Sequence, residues 1–454
     1  MKKQSGARIS QCMIVKNEEE HIAGALSWGA GIVSEQIVVD TGSTDRTAEI
    51  ARRMGAKVFR FEWIDDFSAA KNYALSKAKY DWIAFLDADE YFLREDAQKL
   101  PAYVSELQGT SCDGIQTAWV NVDADGKVMS VLTQIRVFRN RPDLRYEGRI
   151  HEYLAYADGR IMEAADAVHE LSIFHTGYSG ETHQKKTGRN LRLIKKELEQ
   201  HPGDYRMLGY LGKEYMRMRE YEKAEEAFRG ALFHIPEERR HDYNGTTSEI
   251  ALRLLVLLTM LPGNQEQAVR EAYGQAAACW PEEADYDYTM GKYLASKKNY
   301  QEAAEHLRRA LGILEQYGYR EKSMLLSAEV PKACELLAVC CYNTGDLAGC
   351  VNCTTSMLKE NPYLMSTLTV LLLAFRRDTA TAAEAVSAFL GRSFYDFRTL
   401  KDRLFVLRAA MAADYEALTA VMRAMFTDQE LAAVEQGLGV GAGSEESGEK
   451  EERR

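Results

Sequence analysis

Two stretches far apart in this chain, "YLGKEYMRMREYEKAEEAFRGAL" from Tyr210 and "TMGKYLASKKNYQEAAEHLRRAL" from Thr289, align without a gap. Gly212 falls on Gly291, Tyr221 on Tyr300, Ala224 on Ala303, Phe228 on Leu307 and Ala231 on Ala310. A unit of this kind pairs two helices. It carries small residues where they cross and an aromatic at the turn, and it cannot bury its apolar face alone. Neighbouring units must stack to make a core. A third copy is legible in "LAVCCYNTGDLAGCVNCTTSML" and a weaker one in "LVLLTMLPGNQEQAVREAYGQAA". Pro202, Pro236, Pro281, Pro331 and Pro362 punctuate the pattern. Residues 191–378 are therefore expected to be an all-helical array.

These units resemble tetratricopeptide repeats, which stack into a superhelix with a concave face. Beyond them, residues 379–436 read as helices without the repeat, a C-terminal cap. Residues 437–454, "GLGVGAGSEESGEKEERR", are glycine-rich and then charged, and are expected to lack fixed structure.

Residues 1–190 follow a different rule. Ile9–Val15, Gln36–Val39, Lys57–Phe61 and Trp82–Leu86 are short apolar runs separated by helical stretches. These stretches are "KNEEEHIAGALSWGA", with acids at its start, "TGSTDRTAEIARRMG" and "DDFSAAKNYALSKAKY". Such alternation predicts parallel strands with helices on the faces. Further on, "GIQTAWVNVDADGKVMSVLTQIRVFRN" alternates with period two on both sides of Asp125-Gly126, which predicts an antiparallel hairpin. The fold class expected is α/β with a mixed sheet, followed by the helical array.

Ligands of open parallel sheets bind beyond the carboxyl ends of the strands. Three polar clusters fall there: Lys16-Asn17-Glu18, Asp40-Thr41-Gly42-Ser43-Thr44-Asp45 and Asp87-Ala88-Asp89. A single strand-terminal Asp more often caps a helix. Three clusters on one edge point to a site. Asp87 and Asp89 suit a hard divalent cation, Mn²⁺ or Mg²⁺, whose charge offsets their repulsion. A second Asp-Ala-Asp, at 123–125, sits at the hairpin tip and is explained by turn chemistry.

Together "MIVKNEEEHI", "VVDTGSTDRTAEIARRMGA", "FSAAKNYAL" and "FLDADE" resemble the family 2 nucleotide-sugar glycosyltransferases of the GT-A fold, over about Ile9 to Ile194. A GT-A domain followed by such repeats is an arrangement shared by peptide S-glycosyltransferases of the sublancin type. The resemblance implies an inverting, metal-dependent enzyme that transfers a sugar from a uridine diphosphate donor. The implied donor-binding residues are Val15, Asn17, Glu18, Asp40, Gly42, Ser43, Asp45, Lys71, Asp87, Ala88 and Arg136. Among these, Asp40 would accept a hydrogen bond from the base and Asp45 would stabilise its turn. Lys71 stands where many relatives carry arginine, so it would meet phosphate as a point charge rather than a fork. Asp89 and Asp87 would hold the metal, completed by His175 or alternatively His151. The general base is expected in "YEGRIHEYL": Glu152, with Glu147 as the alternative.

Composition narrows the alternatives. A net charge of −11 argues against a general nucleic-acid binder. Met1 to Arg8 lacks the apolar core of a signal peptide, and Ile250–Leu261, interrupted by Arg253 and Thr259, is too short to span a bilayer. The chain is expected to be cytoplasmic and not transmembrane. Its acceptor would be a peptide, protein or glycan, and a homodimer is allowed. The eight cysteines, Cys350-x-x-Cys353 included, read as reduced thiols at small apolar positions rather than a zinc site. Two other functions compete. One is a peptide-binding scaffold with a non-catalytic nucleotide-binding domain. The other is a nucleotidyltransferase, disfavoured because "VKNEEEH" is acidic where a basic phosphate loop would be needed.

Overall fold

The structure, a computed structural model, describes residues 8–123, 125–176, 183–240, 246–263, 265–317 and 323–432. Residues 437–454 lie outside the described residues. The chain divides into two compact units, residues 1–234 and 235–454.

In the first unit the elements run β1 (Ile9–Val15), α1 (Ile22–Ser27), β2 (Glu35–Asp40), α2 (Thr47–Arg53), β3 (Lys57–Arg60), α3 (Phe67–Lys77), β4 (Trp82–Phe85) and β5 (Glu90–Phe92). Two short helices, α4 (Arg94–Ala97) and α5 (Leu100–Glu106), lead to β6 (Gly114–Val122) and β7 (Val128–Arg139). Then come β8 (Leu144–Glu147), β9 (Tyr153–Tyr156), β10 (Ala164–Asp166) and β11 (Ser172–His175). Helices α6 (His183–Gln200), α7 (Tyr205–Arg217) and α8 (Tyr221–His234) close the unit.

The main sheet has the order β3-β2-β1-β4-β7-β6-β11-β5, with β10 beside β6. β1 is parallel to β2 and β4, with Val15 opposite Asp40 and Cys12 opposite Phe85. β7 returns antiparallel against both β4 and β6, and β11 runs parallel to β6 with His175 opposite Asn121. The carboxyl ends of β1, β2, β4, β6 and β11 therefore share one edge. The central strands are apolar on both faces because both are covered. On one face Met13, Val15 and Val38 pack with Ile22, Leu26 and Ala51 of the first two helices. On the other, Cys12, Ile37, Val39 and Phe85 meet Ala74 and Leu75 of α3. Each fully buried Ile or Leu of this kind contributes about 1.5–3 kcal/mol.

The stretch expected to be a helix from Lys16 is one only over Ile22–Ser27, without an acid in its first turn. Asn17 adopts φ 58°, outside the helical region. Its backbone N–H donates to Ser43 Oγ, and its Oδ1 accepts from Thr44 N at 2.8 Å. Bonds to the loop after β2 thus outcompete helix propagation, and the Glu19 carboxylate accepts from Arg46 of that loop instead of serving a helix dipole.

The second unit is helical: α9 (Thr246–Met260), α10 (Glu266–Cys279), α11 (Ala284–Ser296), α12 (Tyr300–Tyr317), α13 (Met324–Thr344), α14 (Leu347–Glu360), α15 (Met365–Arg377), α16 (Ala383–Ser393), α17 (Leu400–Ala412) and α18 (Glu416–Arg423). The aligned glycines have one cause. A Cβ on Gly212 would sit 2.5 Å from Phe228 Cε1, and one on Gly291 would sit 2.8 Å from Leu307 Cγ. In each pair the first helix lies directly on the large side chain of the second. Arg219, Lys298 and Gly345, at the equivalent turn of three copies, all take the left-handed conformation, with φ of 60°, 62° and 83°. Asp414, between α17 and α18, does the same at φ 50°. The N–H of Tyr415 bonds Ala410 O just as Glu220 bonds Tyr215 O and Asn299 bonds Leu294 O. The helix-turn-helix geometry therefore persists into the stretch where its sequence signature fades. Cys350, equivalent to Ala224, is fully buried, and burial pushes its thiol and those of Cys340 and Cys341 up.

Candidate active site

A cavity of about 510 Å³ opens at the carboxyl edge of the first unit's sheet. Ile14, Val15, Lys16 and Glu18 reach it from the end of β1, and Asp87, Ala88 and Asp89 from the end of β4. Gln134 and Arg136 enter from β7, Lys71 from α3, and Ile150, His151 and Glu152 from the β8–β9 connection. The register explains the meeting. Ala84 pairs with Val137, so Arg136 lies beside the residues that follow β4.

Lys71 is 3% exposed. Its Nζ lies 2.7 Å from Glu152 Oε1 and 3.6 Å from Asp87 Oδ1. Burial disfavours its charge, but Asp87 and Glu152 outweigh that and raise its pKa. Arg136 Nη2 sits 2.5 Å from Glu90 Oε1 and 3.3 Å from Asp87 Oδ2. Burial likewise opposes the charge of Asp87, yet Lys71 and Arg136 hold its carboxyl below the usual range. Glu90, 1% exposed, is pushed up by burial against the pull of Arg136. It also accepts from Trp119 Nε1 at 2.9 Å and from the Asp87 backbone N–H at 3.0 Å. Glu90 thus fixes both the backbone at Asp87 and the guanidinium facing it.

Asp89 meets a different partner. His175 Nε2 lies 3.3 Å from Asp89 Oδ2. Asn121 Nδ2 donates to Ser130 Oγ, which turns Asn121 Oδ1 toward His175 Nδ1 at 2.7 Å. His175 also stacks on Trp119, with ring centroids 4.8 Å apart. The bond from Nδ1 to Asn121 leaves Nε2 turned to the carboxylate oxygen. A carboxylate and an imidazole nitrogen set side by side, the imidazole steered by an outer hydrogen bond, are residue types suited to a divalent cation. Among the described residues no three His, Cys, Asp or Glu side chains cluster to hold a metal. Other ligands would have to come from a bound molecule or water.

Residues 10–162 match the model for "Glycosyl transferase family 2". The first unit carries a glycosyl transferase family 2 domain. A TPR repeat-containing protein of Synechococcus elongatus is 40% identical over 146 residues, 32% of this chain and 35% of its own length. The SPbeta prophage-derived glycosyltransferase SunS of Bacillus subtilis is 28% identical over 206 residues, 44% of this chain and 48% of SunS. The chain thus spans a third to a half of the curated relatives it matches. A crystal structure of S. aureus TarS 1-349 overlaps 61% of this chain and 89% of its own, at 13% identity and a TM-score of 0.34.

Within the family 2 domain the other sequence-derived candidates fall into two groups. Val15, Glu18, Ala88, His151 and Glu152 line the cavity. Asn17, Asp40, Gly42, Ser43 and Asp45 build the loops beside it rather than its lining. Asp40 Oδ1 accepts from the backbone N–H of Gly42 and Ser43, at 3.2 and 2.8 Å. Asp45 accepts from Glu19 N–H, Thr47 N–H and Thr47 Oγ1, joining the loops after β1 and β2. Glu147 is exposed, outside the lining, and accepts from Tyr153 O–H at 3.1 Å. The segment bearing Glu152 is held by α3. Asn72 bonds both Tyr146 O and Tyr146 N–H, and Ser68 Oγ donates to Gly148 O. His151, at φ 53°, stacks on Tyr210 of α7 with centroids 3.6 Å apart, and its Nε2 is buried without a hydrogen-bond partner among the described residues. Burial, then the nearby cations Lys213, Arg217 and Arg189, bring its pKa down to about 4. Glu90, Asn121, Trp119 and the wall from Trp63, Phe67, Arg189 and Tyr210 were not anticipated from the sequence. Among the described residues no helix is long and apolar enough to cross a membrane.

Proposed function

We propose that this protein is an inverting, metal-dependent glycosyltransferase that moves a sugar from a uridine diphosphate donor to a peptide, protein or glycan. The observation that carries this reading is that Asp89, backed by His175, lines the same cavity as Asp87, Lys71 and Arg136 at the strand ends of a family 2 domain. Asp87 orients the donor's ribose or sugar, and Asp40, Gly42, Ser43 and Asp45 shape the base-binding loops with Val15, Asn17, Glu18 and Ala88. Asp89 and His175 hold Mn²⁺ or Mg²⁺, which when bound neutralises the diphosphate. Lys71 and Arg136 add fixed positive charge next to Asp87. Glu152 takes the proton of the acceptor nucleophile. The acceptor's oxygen or sulfur bonds to the anomeric carbon from the face opposite the diphosphate. The bond from that carbon to the phosphate oxygen breaks, its electron pair leaves on the nucleotide, and the configuration inverts. The helical repeats dock the acceptor or a second subunit.

The test is nucleotide release from a panel of uridine diphosphate sugars, with Mn²⁺ or with a chelator. Release that needs the metal and is lost in Asp89→Ala supports the reading. Equal release by both proteins would count against the metal-dependent reading, and no release from any donor together with no nucleotide binding favours a scaffold built on the helices.

A further inference from the structure

The cavity has a second half that donor chemistry does not use. Besides the strand-end residues and Glu152, its wall comes from Trp63, Phe67, His151, Arg189 and Tyr210. The character of this wall differs from that of the strand ends. Trp63 and Phe67 pack edge to face at 4.8 Å, and His151 lies flat on Tyr210. Burial keeps the imidazole neutral at physiological pH. One charge remains, that of Arg189. Its guanidinium lies 5.2 Å from the centroid of the Phe67 ring and, among the described residues, bonds only the amide oxygen of Asn190, from Nε at 3.4 Å and Nη2 at 3.2 Å. Among the described residues no carboxylate lies within 4.0 Å of it, although Lys71, Arg136 and Arg149 each have one. Partial burial lowers the pKa of Arg189, and Glu152 is the acid whose field reaches it. An arginine set against an aromatic face beside the proposed base, with its fork unspent on any carboxylate, is arranged to receive an anion.

We infer that the Trp63–Phe67–Tyr210 end of the cavity is the acceptor subsite, and that Arg189 there selects acceptors carrying a carboxylate or phosphate next to the nucleophile. This rests on the proposed transferase function and adds the acceptor's charge to it. Arg189 contributes recognition, and Glu152, which bonds Lys71 of the donor half, is the acid whose field reaches it. The aromatic walls exclude water and give an apolar or ring-shaped neighbour of the anion a surface to lie on.

The test uses the full chain saturated with UDP and Mn²⁺, so the sugar need not be known. Binding of glycerol 3-phosphate is compared with glycerol, and glycolate with ethylene glycol, by calorimetry. At least one anion should bind about tenfold or more tighter than its neutral partner. Which pair shows the difference tells phosphate from carboxylate. Arg189→Gln should erase the preference while UDP binds as before, and Arg189→Lys should restore part of it. Equal binding of charged and neutral partners, including no binding of any, overturns the inference. So does displacement of UDP by the anions, or weaker UDP binding in Arg189→Gln, because Arg189 would then serve the donor diphosphate. Failure of UDP itself to bind would instead count against the transferase reading.

Discussion

At residues 87–89 and again at 123–125 the chain carries the same three letters, Asp-Ala-Asp. At the hairpin, Asp123 Oδ1 accepts from the backbone N–H of Asp125 and of Lys127, and Gly126 follows with φ 78°. That carboxylate is committed to its own turn. At the end of β4 the bonds run outward. Asp87 is bracketed by Lys71 from α3 and Arg136 from β7, and Asp89 faces His175 from β11. A short motif therefore takes its meaning from what the fold brings to it. In one place it satisfies the backbone locally. In the other, strands distant in sequence supply cations and an imidazole.

Substitutions can break this contrast. The largest effect should come from Arg136→Met. It strands Glu90, which is 1% exposed, and breaking a buried pair in this way costs about 3–5 kcal/mol, measurable by denaturant unfolding. Next, Asp89→Ala should weaken UDP binding in Mn²⁺ more than about 100-fold by calorimetry, since loss of a metal ligand should exceed loss of its outer-sphere support. Asn121→Ala, which frees the His175 ring to turn, should lower Mn²⁺ affinity about 10–100-fold with the fold intact. The smallest effect should be that of Asp123→Ala. Loss of its two turn bonds should cost about 1 kcal/mol or less and leave UDP binding unchanged. Equal damage to UDP binding from Asp89→Ala and Asp123→Ala would erase the contrast.

The contrast also shows what was legible in the sequence. Asp40, Asp87 and Asp89 stood out because polar residues end apolar strands whose order along the chain sets their shared edge. The hairpin at Asp125-Gly126 and the repeat glycines were legible because their causes are local: a turn needing positive φ, and a helix crossing with no room for a Cβ. The helix expected from Lys16 failed because Asn17 and Glu18 bond the loop after β2, a contact with no local signature. Glu90 and Asn121 were overlooked for a similar reason. Their roles depend on the pairing of β5, β11 and β6, which places Glu90 and Asn121 on either side of His175. The left-handed turn at Asp414 went unread because Arg, Lys, Gly and Asp all occupy that position across the chain. The backbone conformation repeats there, but the residue type does not.

The most direct measurement is electron paramagnetic resonance of Mn²⁺ titrated into the protein with UDP present. The account predicts a protein-bound Mn²⁺ signal that depends on UDP, retained in Asp123→Ala and lost in both Asp89→Ala and His175→Ala. Bound Mn²⁺ that survives those last two substitutions would contradict it.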